Sequence, residues 1–113
     1  MKRIEAYLQP HRLSRVVHSL HELPHFPGFT VFEARGHGHG RGPEGRYEAK
    51  DEVLTYSARQ ILVVICRDED ADSIVETIVQ AAHTGARHDG IVTVSDVVEA
   101  RRIGQTLTVG DRS

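Results

Sequence analysis

The chain has 113 residues, enough for one domain and too few for a second of ordinary size. Its 14 basic and 16 acidic residues leave a formal charge of −2, which suits neither a nucleic acid nor an anionic membrane, so no nucleic-acid partner is expected. One cysteine, Cys66, excludes an intrachain disulfide and fits a reducing compartment. The polar start Met1-Lys-Arg-Ile-Glu-Ala and the lack of a long apolar window lead to the expectation of a soluble cytoplasmic protein.

Lys2 to Gln9 alternates Ile4, Ala6 and Leu8 with Arg3, Glu5 and Tyr7, the period of a strand with one buried face. Pro10 then opens a helix, where its missing N–H is no loss. Leu13, Val16, Val17, Leu20 and Leu23 form the helix's apolar stripe, with His18 and His21 at surface positions beside it. Pro24 and Pro27-Gly28 end it, and Phe29 to Arg35 supplies the β-formers of a second strand.

From Gly36 to about Ser57 the periodicity stops. This stretch is rich in Gly, Arg, His and Glu, and a connection of such length inside a small domain is either functional or unstructured. With so few apolar residues, its ordering is expected to come from a ligand or a partner. Gln60 to Cys66 predicts a third strand, apolar at six consecutive positions as in a strand covered on both faces. Asp68-Glu-Asp70 is expected to cap a second helix, whose stripe is Ala71, Ile74, Val75, Ile78, Ala81 and Ala82. Gly85 sits where a C-terminal cap belongs. Asp89-Gly90 makes a turn, Ile91 to Val97 predicts a fourth strand, and a polar tail runs from about Arg101 to Ser113.

The order β-α-β-β-α-β predicts a single ferredoxin-like α+β domain over residues 1–113, with both helices on one face of a four-stranded sheet. Phe32, Leu62, Val64 and either Val92 or Val94 are expected to leave the other face apolar. Such a patch normally marks an interface, so self-association through the open face is expected.

Three segments carry candidate chemistry. Arg35-Gly-His-Gly-His-Gly-Arg41-Gly42 is Gly-rich and locally basic, able to bring backbone N–H groups close to an anion. It also reads as a flexible linker, since neither a P-loop nor a Rossmann fingerprint is present. His83-Thr-Gly85-Ala-Arg-His88-Asp-Gly90 can offer phosphate donors or simply stop a helix. Arg101-Arg102 is a basic pair or a solvated one. Eight histidines raise a metal hypothesis, with His37 and His39 two apart, but the Cys pairs and His spacing of structural zinc sites are missing, and no metal residue is assigned. No nucleophile elbow, Cys-His signature or HExxH motif appears, so no catalytic residue is assigned and no enzyme is expected.

The opening Met1-Lys-Arg-Ile-Glu-Ala with Pro10-His-Arg-Leu13, the run Gly28-Phe-Thr-Val-Phe-Glu-Ala-Arg-Gly36-His-Gly38, and Ala81-Ala-His-Thr-Gly85 with Asp89-Gly90 together resemble the PII signal-transduction family along nearly the whole chain. The resemblance implies a ferredoxin-like homotrimer that binds ATP, ADP or AMP in clefts between subunits. It also implies that a T-loop, about residues 37–57, controls a membrane transporter or an enzyme. Carried over by position, Thr30 lies near the adenine. Gly36, His37, Gly38 and Arg41 form the loop base. Thr84, Gly85, His88, Asp89 and Gly90 form the phosphate turn, and Arg101 and Arg102 reach in from the C-terminal segment.

The departures from the family pattern narrow the expectation. Gly40 replaces the loop glutamine that would help bind Mg²⁺, Ala58 stands near the loop lysine with Arg59 adjacent, Ile91 replaces the lysine after Asp-Gly, His88 the glycine before it, and Gly104 the second C-terminal arginine. The resemblance is therefore to a divergent PII-like regulator, with a small anion such as bicarbonate as a candidate second signal and no covalent cofactor. The alternative is a metal-binding protein of similar fold linked to heavy-metal efflux.

Overall fold

The computed structural model describes residues 1–36, 57–86 and 89–104. The expected T-loop from His37 to Tyr56, the pair Arg87-His88 and the tail beyond Gly104 lie outside the described residues. The elements run β1 (Lys2–Leu8), a 3₁₀ turn at Pro10–Arg12, α1 (Leu13–His21), β2 (Thr30–Gly36), β3 (Ser57–Cys66), α2 (Asp68–Ala82) and β4 (Gly90–Asp96). They form one four-stranded antiparallel sheet in the order β2-β3-β1-β4, the ferredoxin-like arrangement expected from the sequence.

The helices cover one face. Ile4, Ala6 and Leu8 of β1 meet Leu62, Val64 and Cys66 of β3 beneath Val16 and Leu20 of α1 and Ala71, Ile74, Ile78, Ala81 and Ala82 of α2. Leu13, Val17, Leu23, Val75 and Val92 pack around this core, and Phe26 and Phe29 do so with the ring of His21 beside them. The alternation in β1 is the reason its even-numbered residues are buried while Arg3, Glu5 and Tyr7 face the other way.

The register corrects the expected composition of the open face. Leu62 and Val64 lie opposite Ala6 and Ile4, so they belong to the helix-covered core and are fully buried. Val92 and Val94 share that side through the same two β1 residues. Phe32 does lie on the open face, facing Ile61 across the β2–β3 pair. An unbroken apolar run carries no parity, so Ile61, Val63 and Ile65 could be exchanged for Leu62 and Val64 only once the register was known.

Three local expectations also change. β3 starts at Ser57 because Ser57, Ala58 and Arg59 pair with Gly36, Arg35 and Ala34, a pairing that no apolar pattern signals. The N-cap of α2 is Arg67; Asp68, Glu69 and Asp70 occupy the first turn instead, where their charge still suits the helix dipole. At the other end His83, in extended conformation, is the C-cap. Gly85, at φ 87°, turns the chain two residues later rather than capping the helix.

Candidate functional site

The turn between α2 and β4 is built by one carboxylate. Asp89 Oδ2 accepts hydrogen bonds from the backbone N–H of Thr84 at 2.8 Å and of Gly85 at 3.1 Å, and its Oδ1 accepts from the Thr84 hydroxyl. The Thr84 Oγ1 in turn accepts from the Ala86 N–H at 3.1 Å, and His83 Nδ1 lies 3.5 Å from Asp89 Oδ2. The Thr84 hydroxyl, the Thr84 and Gly85 N–H groups and nearby His83 together hold the Asp89 carboxyl below its ordinary pKa. Asp89 therefore shapes the turn from inside and is not a free ligand group.

Arg12 fixes the same turn from the other helix pair. Its Nη2 donates to the Ala81 carbonyl at 2.8 Å and the His83 carbonyl at 3.4 Å, placing a cation on the negative end of α2. Its buried Nε has no partner. Nothing in the sequence points to this role, because the partners lie about seventy positions away.

Gly90 opens β4 opposite Leu8. Its φ is 120°, and a Cβ there would stand 1.9 Å from the Tyr7 carbonyl oxygen, so the position requires glycine for the β1–β4 ladder itself.

The described candidate residues do not converge within one chain. Glu33, Gln60, Leu8 and Gly90 form one row across the sheet, so the end of β2 and the start of β4 lie at the same end but on opposite edges. Three strand spacings separate those edges by roughly 14 Å. Gly36 closes β2 on one edge, and the Thr84–Gly90 turn leads into β4 on the other. Thr30, exposed at the start of β2, lies on the open face in the row of Val63, Glu5 and Thr93. Arg101 and Arg102 follow the far end of β4, about 20 Å of strand from Gly90. Arg101 donates to Glu99, whereas Arg102 is exposed and meets no acidic group among the described residues. His37, Gly38, Arg41 and His88 lie outside the described residues.

Arg59, next to the departure at Ala58, and the departure Ile91 fall on the open face. Arg59 donates to Gln9 Oε1 at 3.3 Å and to the Ala58 carbonyl at 3.2 Å, and Ile91 is 59% exposed in the row of Tyr7, Ile61 and Phe32. Among the described residues no group of three or more His, Cys, Asp or Glu could hold a metal ion, and no helix is long and apolar enough to cross a membrane.

The described residues form a ferredoxin-like domain with a carboxylate-braced turn at one sheet edge and the end of β2 at the other. The family model described as Nitrogen regulatory protein P-II matches residues 1–106. The Nitrogen regulatory protein P-II of Azospirillum brasilense is 37% identical over 111 residues, 98% of both chains. That of Rhizobium meliloti (strain 1021) is 37% identical over 103 residues, 91% of both. The Nitrogen regulatory protein P-II 2 of Methanothermobacter thermautotrophicus is 37% identical over 103 residues, 91% of this chain and 89% of its own. This chain belongs to the P-II family of regulatory proteins.

Proposed function

We propose that this P-II family protein senses adenine nucleotides, ADP, AMP or ATP, in clefts between subunits of a homotrimer, and acts on a transporter or enzyme through the segment that follows β2. The observation that carries the reading is the separation of the candidate groups onto opposite sheet edges. A single chain holds half a site on each edge, so a complete one takes the β2 edge of one copy and the β4 edge of the next. Such a head-to-tail contact is heterologous, and it makes a ring where the rotation from copy to copy closes.

The chemistry supports phosphate contact by donors other than Asp89, whose negative charge and occupied oxygens suit a structural role. Arg102, exposed and without an acidic group beside it among the described residues, is the cation this reading assigns to a phosphate. The conformational freedom of Gly36 suits close approach of a phosphate at the loop base. A small anion such as bicarbonate is the second signal this site would take. The missing side chain at Gly40 argues against the Mg²⁺–2-oxoglutarate pairing, since an octahedral site short of a ligand loses both geometry and charge balance.

Calorimetry with ATP, ADP and AMP tests the reading. At least one should bind, and Arg102→Ala should weaken that binding about ten-fold or more, the loss of one charge-assisted hydrogen bond. No heat with any of the three would refute it.

A further inference from the structure

The turn assigned to phosphate stands at the negative end of a helix. α2 ends at Ala82, and Thr84 and Gly85 follow directly after its C-cap, His83. The carbonyls at such an end carry roughly half a negative elementary charge, the reverse of the helix N-termini at which anions are usually held. The Asp89 carboxylate inside the turn adds further negative charge. α2 has no basic residue in its own last turn. A cation comes instead from the start of α1, where Arg12 Nη2 reaches the Ala81 carbonyl at 2.8 Å and the His83 carbonyl at 3.4 Å.

Arg12 is poorly suited to its own helix. It is the N-cap of α1, a position that favours a side-chain acceptor and where a cation meets the positive end of the dipole. It makes no side-chain capping hydrogen bond there, and its buried Nε–H has no acceptor among the described residues. Both features oppose folding, and both belong to a side chain whose guanidinium is spent on the end of α2. We propose that Arg12 is an electrostatic positioning residue for the nucleotide site: it neutralises the end of α2 so that the Thr84–Gly90 turn can hold a polyanionic ligand. It acts through the α2 carbonyls and not by contact with the ligand. The inference rests on the nucleotide reading above and adds to it a residue outside the candidate set.

A charge screen and a mere clamp respond differently to the ligand. Loss of a clamp weakens every nucleotide alike, whereas loss of a charge weakens them in order of ligand charge, from AMP through ADP to ATP. Calorimetry on the full chain without Mg²⁺ separates the two. Arg12→Gln keeps a donor for the same carbonyls and removes the charge. It should weaken ATP about ten-fold and AMP about two-fold, with ADP between them. Arg12→Lys keeps the charge, lacks the unpartnered Nε–H, and should bind within about two-fold of the parent. Gln80→Lys adds a cation on the exposed face of the last turn of α2 and should tighten ATP about two-fold; it carries the test if Arg12→Gln fails to fold. Equal losses for all nucleotides in Arg12→Gln, or an Arg12→Lys chain as weak as Arg12→Gln, would overturn the proposal while leaving the nucleotide reading intact. With Arg12→Gln unfolded, unchanged ATP binding by Gln80→Lys would do the same. A parent chain that binds none of the three would remove the nucleotide reading and this proposal together.

Discussion

Asp89 uses both carboxylate oxygens to hold Thr84 and Gly85, and this fixes what the turn can do. Because the folded state depresses its pKa, its contribution is present above the ordinary carboxylate value of 3.8 and is lost as pH falls through the lower folded value. Asp89→Asn should therefore flatten the fall in stability below about pH 4, measured by urea unfolding across pH 2.5–6. An amide NH₂ cannot accept from Thr84 and Gly85 as the second oxygen does, so their amide exchange should quicken at neutral pH as well. Unchanged exchange and an unchanged acid slope would show that the carboxylate does not brace the turn. In the sequence, Thr84, Gly85 and Asp89 were legible as one unit, but the direction of the carboxylate was not. A turn rich in hydrogen-bonding groups looks the same whether those groups face a ligand or each other.

The elements themselves were the most legible layer, because period and punctuation encode them locally. The alternation in β1 and the stripes of α1 and α2 each state which face is buried. The central strand was different. Ile61 to Cys66 is apolar throughout, so only pairing with Ala6 and Ile4 separates the core residues Leu62 and Val64 from the open-face residues Ile61, Val63 and Ile65. Arg12 was invisible for a related reason, since its partners at the end of α2 are set by packing and not by sequence proximity. Gly90 was read as part of a phosphate turn, and the structure adds an independent demand from the β1–β4 ladder. Gly90→Ala would force a Cβ against the Tyr7 carbonyl at a positive φ, and should destabilise the fold by roughly 2 kcal/mol or more. Thermal unfolding without nucleotide isolates that effect from binding. A variant as stable as the parent would mean that the start of β4 shifts easily to make room.

At the scale of the molecule, one face of the sheet is sealed by two helices and the other carries Phe32, Ile61, Tyr7 and Ile91 in a row across all four strands, with Phe32 and Ile91 exposed and Ile61 buried between its neighbours. The two sheet edges divide the candidate ligand groups between them. Both features lead to the same expectation, that the functional unit is an assembly and the nucleotide site does not exist in a single chain. Native mass spectrometry of the full chain, with and without ADP or ATP, tests that claim most directly. The account predicts three copies carrying up to three nucleotides, with any residual monomer bare. Nucleotide bound to the monomer, or a trimer that takes up none, would contradict it.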